Sequence, residues 1–71
     1  MANDLPLPMD NLRFLIRHAL ANPPYSATAA EIERLVREEA SLRDRLNHKT
    51  APEEKAELLK AADDIRRHRG A

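Results

Sequence analysis

The 71-residue chain has no cysteine and no tryptophan, and only one glycine, one phenylalanine and one tyrosine. Each shortage excludes something. Without cysteine there is no disulfide framework and no thiolate zinc site. With a single glycine there is no glycine-rich loop to cradle a phosphate and no sharp turn to display a nucleophile. No apolar run approaches the roughly 18 residues that a membrane span needs. The first residues lack a basic segment followed by an apolar one, so no secretory signal is expected and a cytoplasmic location is. Twelve Lys+Arg face twelve Asp+Glu, for a formal net charge of zero. A chain without excess positive charge has little general attraction for a polyanion.

What is present favours helices. Alanine and leucine are abundant, and 34% of the residues are charged. Leaving out Met1, the larger apolar side chains number 17: ten Leu, three Ile, Val36, Met9, Phe14 and Tyr25. Domains below roughly 70–80 residues seldom gain more than about 3–5 kcal/mol from one core. Disulfides are excluded, so self-association or a partner chain is the expected reinforcement. The Ala-, Arg- and Glu-rich, Lys-poor composition suits a high-GC bacterial or phage genome.

Proline and capping residues divide the chain. Leu5-Pro6-Leu7-Pro8 forbids a helix and favours an extended arm over residues 1–9. A single helical domain follows over 10–69, with helices over about 10–22, 28–47 and 51–68. Asp10 is the expected N-cap of the first helix. There Leu12, Leu15, Ile16, Ala19 and Leu20 share one face, and Asn22-Pro23-Pro24 ends it. Thr28–Glu31 and Thr50–Glu53 read as capping boxes for the second and third helices, the latter with Pro52 in its first turn. Gly70 marks the final stop. Both links are short, so neighbouring helices run antiparallel. The expected class is all-α: a small three-helix bundle with a short helix 1 and a long helix 2–helix 3 hairpin, possible dimerisation completing it. A helix-turn-helix is the lesser alternative, because Arg37 to Ser41 reads as helix where that motif needs a turn.

One stripe departs from a plain bundle. Ile32, Leu35, Glu39, Leu42 and Leu46 follow heptad a-d-a-d-a spacing, with a carboxylate at the central position. A buried unpaired carboxylate is expensive, so Glu39 needs a partner. Arg13 or Arg17 could serve at a bundle edge, or Glu39 could set register across an intermolecular seam. Glu33–Arg37 and Glu39–Arg43 have the favourable i, i+4 order, worth a few tenths of a kcal/mol each. Phe14 is the second departure. It lies about 160° around the helix from Leu12, among Asp10, Arg17, His18 and Ala21, and an aromatic flanked by arginines is a common interface anchor. Leu59 stands about 100° off the stripe of Leu58, Ala61, Ala62 and Ile65, and either extends a binding face or widens the core.

Arg66-Arg67-His68-Arg69 is the only basic cluster. With Arg43, Arg45 and Lys49 it could touch nucleic-acid phosphate through Arg66, Arg67 and Arg69. It lacks interleaved aromatics, and Asp63 and Asp64 blunt its field, so a solvated helix end suiting the macrodipole is the plainer reading. His18, His48 and His68 never recur at i+3 or i+4, so no metal site is expected, and no cofactor either. Glu39 has no second acid or nucleophile beside it, and neither serine has a base nearby in sequence, so no enzyme is expected. The expectation is a non-enzymatic protein–protein interaction module, acting by self-association or on another protein through Phe14, Ile32, Leu35, Glu39, Leu42, Leu46 and Leu59. A nucleic-acid accessory role is the alternative.

Overall fold

The computed structural model describes residues 7–46 and 51–70, leaving aside the side chains of Leu46 and Ala51. Three helices form: α1 (Met9–Ala21), α2 (Ala27–Leu46) and α3 (Ala51–Gly70). The ion pairs between them fix their directions. Along α2 from Asp44 through Arg37 to Glu33, the α3 partners run from Lys55 through Asp63 to Arg69. The two helices are therefore antiparallel. Arg13 meets Glu57, and Asn22 meets His68, so α1 runs parallel to α3. The result is an up-down-up three-helix bundle, with α2 and α3 sharing the larger interface and α1 packed on both.

The core is aliphatic. Leu12 and Ala19 of α1, Ala29, Ile32, Val36 and Ala40 of α2, and Leu58, Ala62 and Ile65 of α3 are buried together. Burying one Leu, Ile or Val side chain is worth about 1.5–3 kcal/mol, and four of these are fully enclosed. The alanines let the helices approach closely while adding little area of their own. Leu7, Met9, Leu15, Ile16, Leu35 and Ala61 lie half-buried around this centre.

Several helix ends differ from the sequence expectation. The first helix begins at Met9 with Pro8 at the cap, and no side chain caps it. Asp10 lies inside the first turn and pairs with Arg13 at 3.3 Å, so it serves the helix dipole rather than the cap. The helix stops where expected. Asn22 precedes a proline and is pushed into extended backbone, and its side-chain amide donates to the orphan carbonyl of His18 at 2.8 Å. Pro23 to Ser26 then closes a turn, the Ser26 N–H donating to the Pro23 carbonyl at 2.9 Å. This turn brings Ser26 to the start of α2, ahead of the expected Thr28. Ser26 Oγ accepts from the Thr28 N–H at 3.1 Å, so Ser26 is the cap and Thr28 is helical. The Thr50 half of the second capping box lies outside the described residues. The third helix continues past His68 to Gly70, which holds Arg69 in helical position to reach Glu33.

Candidate interaction surface

The heptad seam does not survive folding as one surface. The buried line of α2 is Ala29, Ile32, Glu33, Val36, Glu39, Ala40 and Arg43. That line is rotated from the a-d register toward a-e. Small Ala29 and Ala40 set the phase, because they admit close approach where leucines would hold the helices apart. Ile32 and Glu39 therefore face inward. Leu35 and Leu42 stay half-buried on the flank, and Leu46 closes the helix, its side chain outside the described residues. A shallow, open depression of about 520 Å³ follows the flank and outer face of α2, lined by Arg34, Arg37, Glu38, Glu39, Ser41, Leu42 and Arg45.

Glu39 is 8% exposed and finds neither Arg13 nor Arg17. Its partner is Arg43, 3% exposed, whose Nη1 donates to Oε1 at 2.7 Å. Arg43 Nε donates to Glu54 at 2.8 Å, and Arg43 Nη2 to the Leu7 carbonyl at 2.6 Å. The Leu7 N–H donates to Glu39 Oε1 at 3.0 Å. The i, i+4 pair taken for a weak helix pair is thus the enclosed centre of a four-membered network. Arg13 instead grips Glu57 with two hydrogen bonds, at 2.7 and 3.0 Å, joining α1 to α3. This bonding holds the Glu57 carboxyl below the usual range and raises Arg13 further.

The basic helix end folds back on acids. Glu33 is 5% exposed and takes Arg69 Nη1 at 2.5 Å and Arg37 at 3.1 and 3.2 Å, with Arg66 at 3.8 Å. Burial pushes its carboxyl up, but the hydrogen bonds from Arg69 and Arg37 outweigh that and hold it below the usual value. Arg67 pairs with Asp64. His68 Nε2 meets the Asn22 carbonyl at 2.6 Å; a carbonyl only accepts, so this nitrogen carries the proton. Of the arginines expected to reach phosphate, Arg43 is buried, Arg45 is exposed, and Arg66, Arg67 and Arg69 each have a carboxylate neighbour. Lys49 lies outside the described residues. Among the described residues, no group of three or more His, Asp or Glu side chains is placed to hold a metal ion.

Among the described residues, the exposed large apolar side chains are Phe14 at 66%, Tyr25 at 88%, Leu20 and Leu59. Phe14 stands on the α1 face away from Leu12. Leu20 was expected on the buried face of α1 and lies outside instead, because that face is centred on Leu12 and Ala19 and Leu20 falls at its margin. Leu59 is too exposed to widen the core. It lies on the α3 edge toward α2, between Lys55 and Asp63, which pair with Asp44 and Arg37. Folding therefore separates the residues that the sequence grouped: Phe14 and Leu59 stay outside on different helices, while Ile32 and Glu39 go inside.

Three features had only faint signals in the sequence: the Leu7 contact, the Glu33 hub and the His68–Asn22 bond. The signal for the first was an arm with a leucine between two prolines. For the second it was Glu33 beside Ile32, one step toward the core. The fold defines the chain as a small three-helix bundle. No family model, curated protein or solved structure matches it.

Proposed function

We propose that the chain is a small cytoplasmic, non-enzymatic helical module, of the bacterial or phage type its composition suits, that acts by contact with a protein. The carrying observation is that its only phenylalanine and only tyrosine are 66% and 88% exposed while the core is filled by Leu, Ile, Val and Ala. An aromatic side chain buries roughly 150–250 Å² and is the most effective single core filler. A chain short of apolar mass gains most by burying such groups, and here both are left for an outside surface. Phe14 is flanked by Arg13 and Arg17, a common setting for an interface anchor. Burial of its ring supplies affinity, and Asp10, Arg17 and His18 on the same face of α1 select the partner.

The test places a photo-crosslinking phenylalanine analogue at position 14 of the full chain in the producing cell. The expected result is one discrete crosslinked species, lost when the analogue sits at exposed Lys60. Absence of a discrete adduct from position 14, or the same adduct from Lys60, refutes the reading.

A further inference from the structure

Leu7 is held by its main chain. Its N–H donates to Glu39 at 3.0 Å, and its C=O accepts from Arg43 at 2.6 Å. These two side chains are bound to each other at 2.7 Å, and Arg43 is anchored on α3 through Glu54 at 2.8 Å. One acceptor and one donor, locked together, thus match both polar groups of a single non-helical residue. A sheet edge offers the same pair to an added strand; here two side chains offer it. The next residue completes the match. Pro8 has no N–H to satisfy, its backbone is polyproline-like at φ −59° and ψ 143°, and its carbonyl already accepts from Leu12 at 3.2 Å. The Leu7 side chain meanwhile packs against the core. The clamp therefore reads an apolar residue with free N–H and C=O, followed by proline.

A buried ion pair is a weak device for stability alone, since well-packed apolar residues of similar volume often serve as well. Apolar residues cannot satisfy a main chain. Nor does the clamp require its segment to belong to the same molecule. Helix α1 begins at Met9, immediately after Pro8, so the direction of Leu7 relative to α1 turns on one joint. We propose that the Glu39–Arg43 clamp is a main-chain binding site for a Leu-Pro segment, and that its occupant in trans is the arm of a second copy. Exchange of an identical element reproduces every contact at low cost. This inference does not rest on the role of Phe14. The arm in cis competes at an effective concentration of about millimolar, so wild-type chains exchange appreciably only near that concentration.

Two full-length variants remove the competition. Leu5→Pro with Leu7→Pro deletes the N–H of both Leu-Pro segments of the arm and keeps the clamp. Glu39→Leu with Arg43→Met deletes the clamp and keeps the arm. Each alone is expected to sediment as a monomer from micromolar to sub-millimolar concentration, and their equimolar mixture as a one-to-one pair. A Phe14→Ser background is expected to leave that pairing unchanged. A mixture of monomers throughout overturns the proposal, and so does pairing abolished by Phe14→Ser. If circular dichroism shows that either variant has lost its helices, wild-type chains with two different isotope labels are mixed at millimolar concentration. Intermolecular nuclear Overhauser contacts between Leu7 and Arg43 support exchange; exclusively intramolecular ones refute it.

Discussion

The two ends of the bundle solve one problem in different ways. Each has a carboxylate on α2 turned toward the interior, Glu33 at one end and Glu39 at the other, about 9 Å apart along the axis. Each has an arginine four residues on. Glu33 shares its charge among Arg37, Arg69 and Arg66, whose side chains are 38%, 37% and 72% exposed. Glu39 has one cation among the described residues, Arg43, which is itself enclosed and also carries Glu54 and Leu7. The identical spacing Glu-x-x-x-Arg is a partly solvated staple at one end and a sealed network at the other. What separates them is the arm: Leu7 covers the second pair, and among the described residues no extended segment covers the first.

This contrast is sharpest under deletion. Arg43→Met leaves Glu39 buried without its cation and the Leu7 carbonyl without its donor. Removing one partner of a buried pair costs about 3–5 kcal/mol, and a loss of that size in urea unfolding is expected. Replacing Glu39 and Arg43 together by Leu and Met is expected to recover part of it, leaving the smaller cost of Leu7's unmatched N–H and C=O. Equal losses in the single and double variants would mean that the pair does not act as a unit. At the other end, Glu33→Gln is expected to cost less, about 1–3 kcal/mol, because the arginines it releases can turn to water. If Glu33→Gln proves the more damaging change, the contrast between a sealed and a solvated end is wrong.

Acid acts at both ends. Glu33 and Glu57 have carboxyls held below the usual carboxylate range by their arginine partners, so each stabilises the fold in its charged form. That contribution is fully present above about 4.5 and is lost as pH falls through the depressed folded values. Stability is therefore expected to decline below about pH 4.5, and Glu33→Gln to flatten the decline. An unchanged slope in that variant would remove Glu33 from the account. His68→Ala deletes the bond to Asn22 and is expected to cost about 1 kcal/mol, with faster amide exchange in the turn from Pro23 to Ser26. The smallest effect on stability is expected for Phe14→Ser, within about 0.5 kcal/mol, because the ring is exposed. A larger loss would show Phe14 supporting the fold rather than facing a partner.

Much of this architecture was legible in the residues. Leu12 and Ala19, then Ile32 and Val36, then Leu58, Ala62 and Ile65 mark one face of each helix by their spacing. Asn22-Pro23-Pro24 and Pro52 mark ends by the geometry of proline. These are local signals, and local physics reads them directly. The phase of α2 was harder to see. Leucines at 35 and 42 draw attention to an a-d seam, yet alanines at 29 and 40 choose the face, because close packing rewards small residues that hydropathy barely counts.

The sequence by itself determined three helices, their order, their short links and their aliphatic faces, since each follows from periodicity and turn chemistry within a few residues. Only the tertiary structure decided which carboxylates are enclosed, which arginine answers each of them, and that Leu7 lies across α2. The long-range contacts behind this, Leu7–Glu39, Glu33–Arg69 and Asn22–His68, join residues 32 to 46 positions apart. An ion pair's worth depends on the water left around it. Spacing along a helix sets only whether two charges can meet; the packing of the other two helices and the arm sets how dry the meeting is.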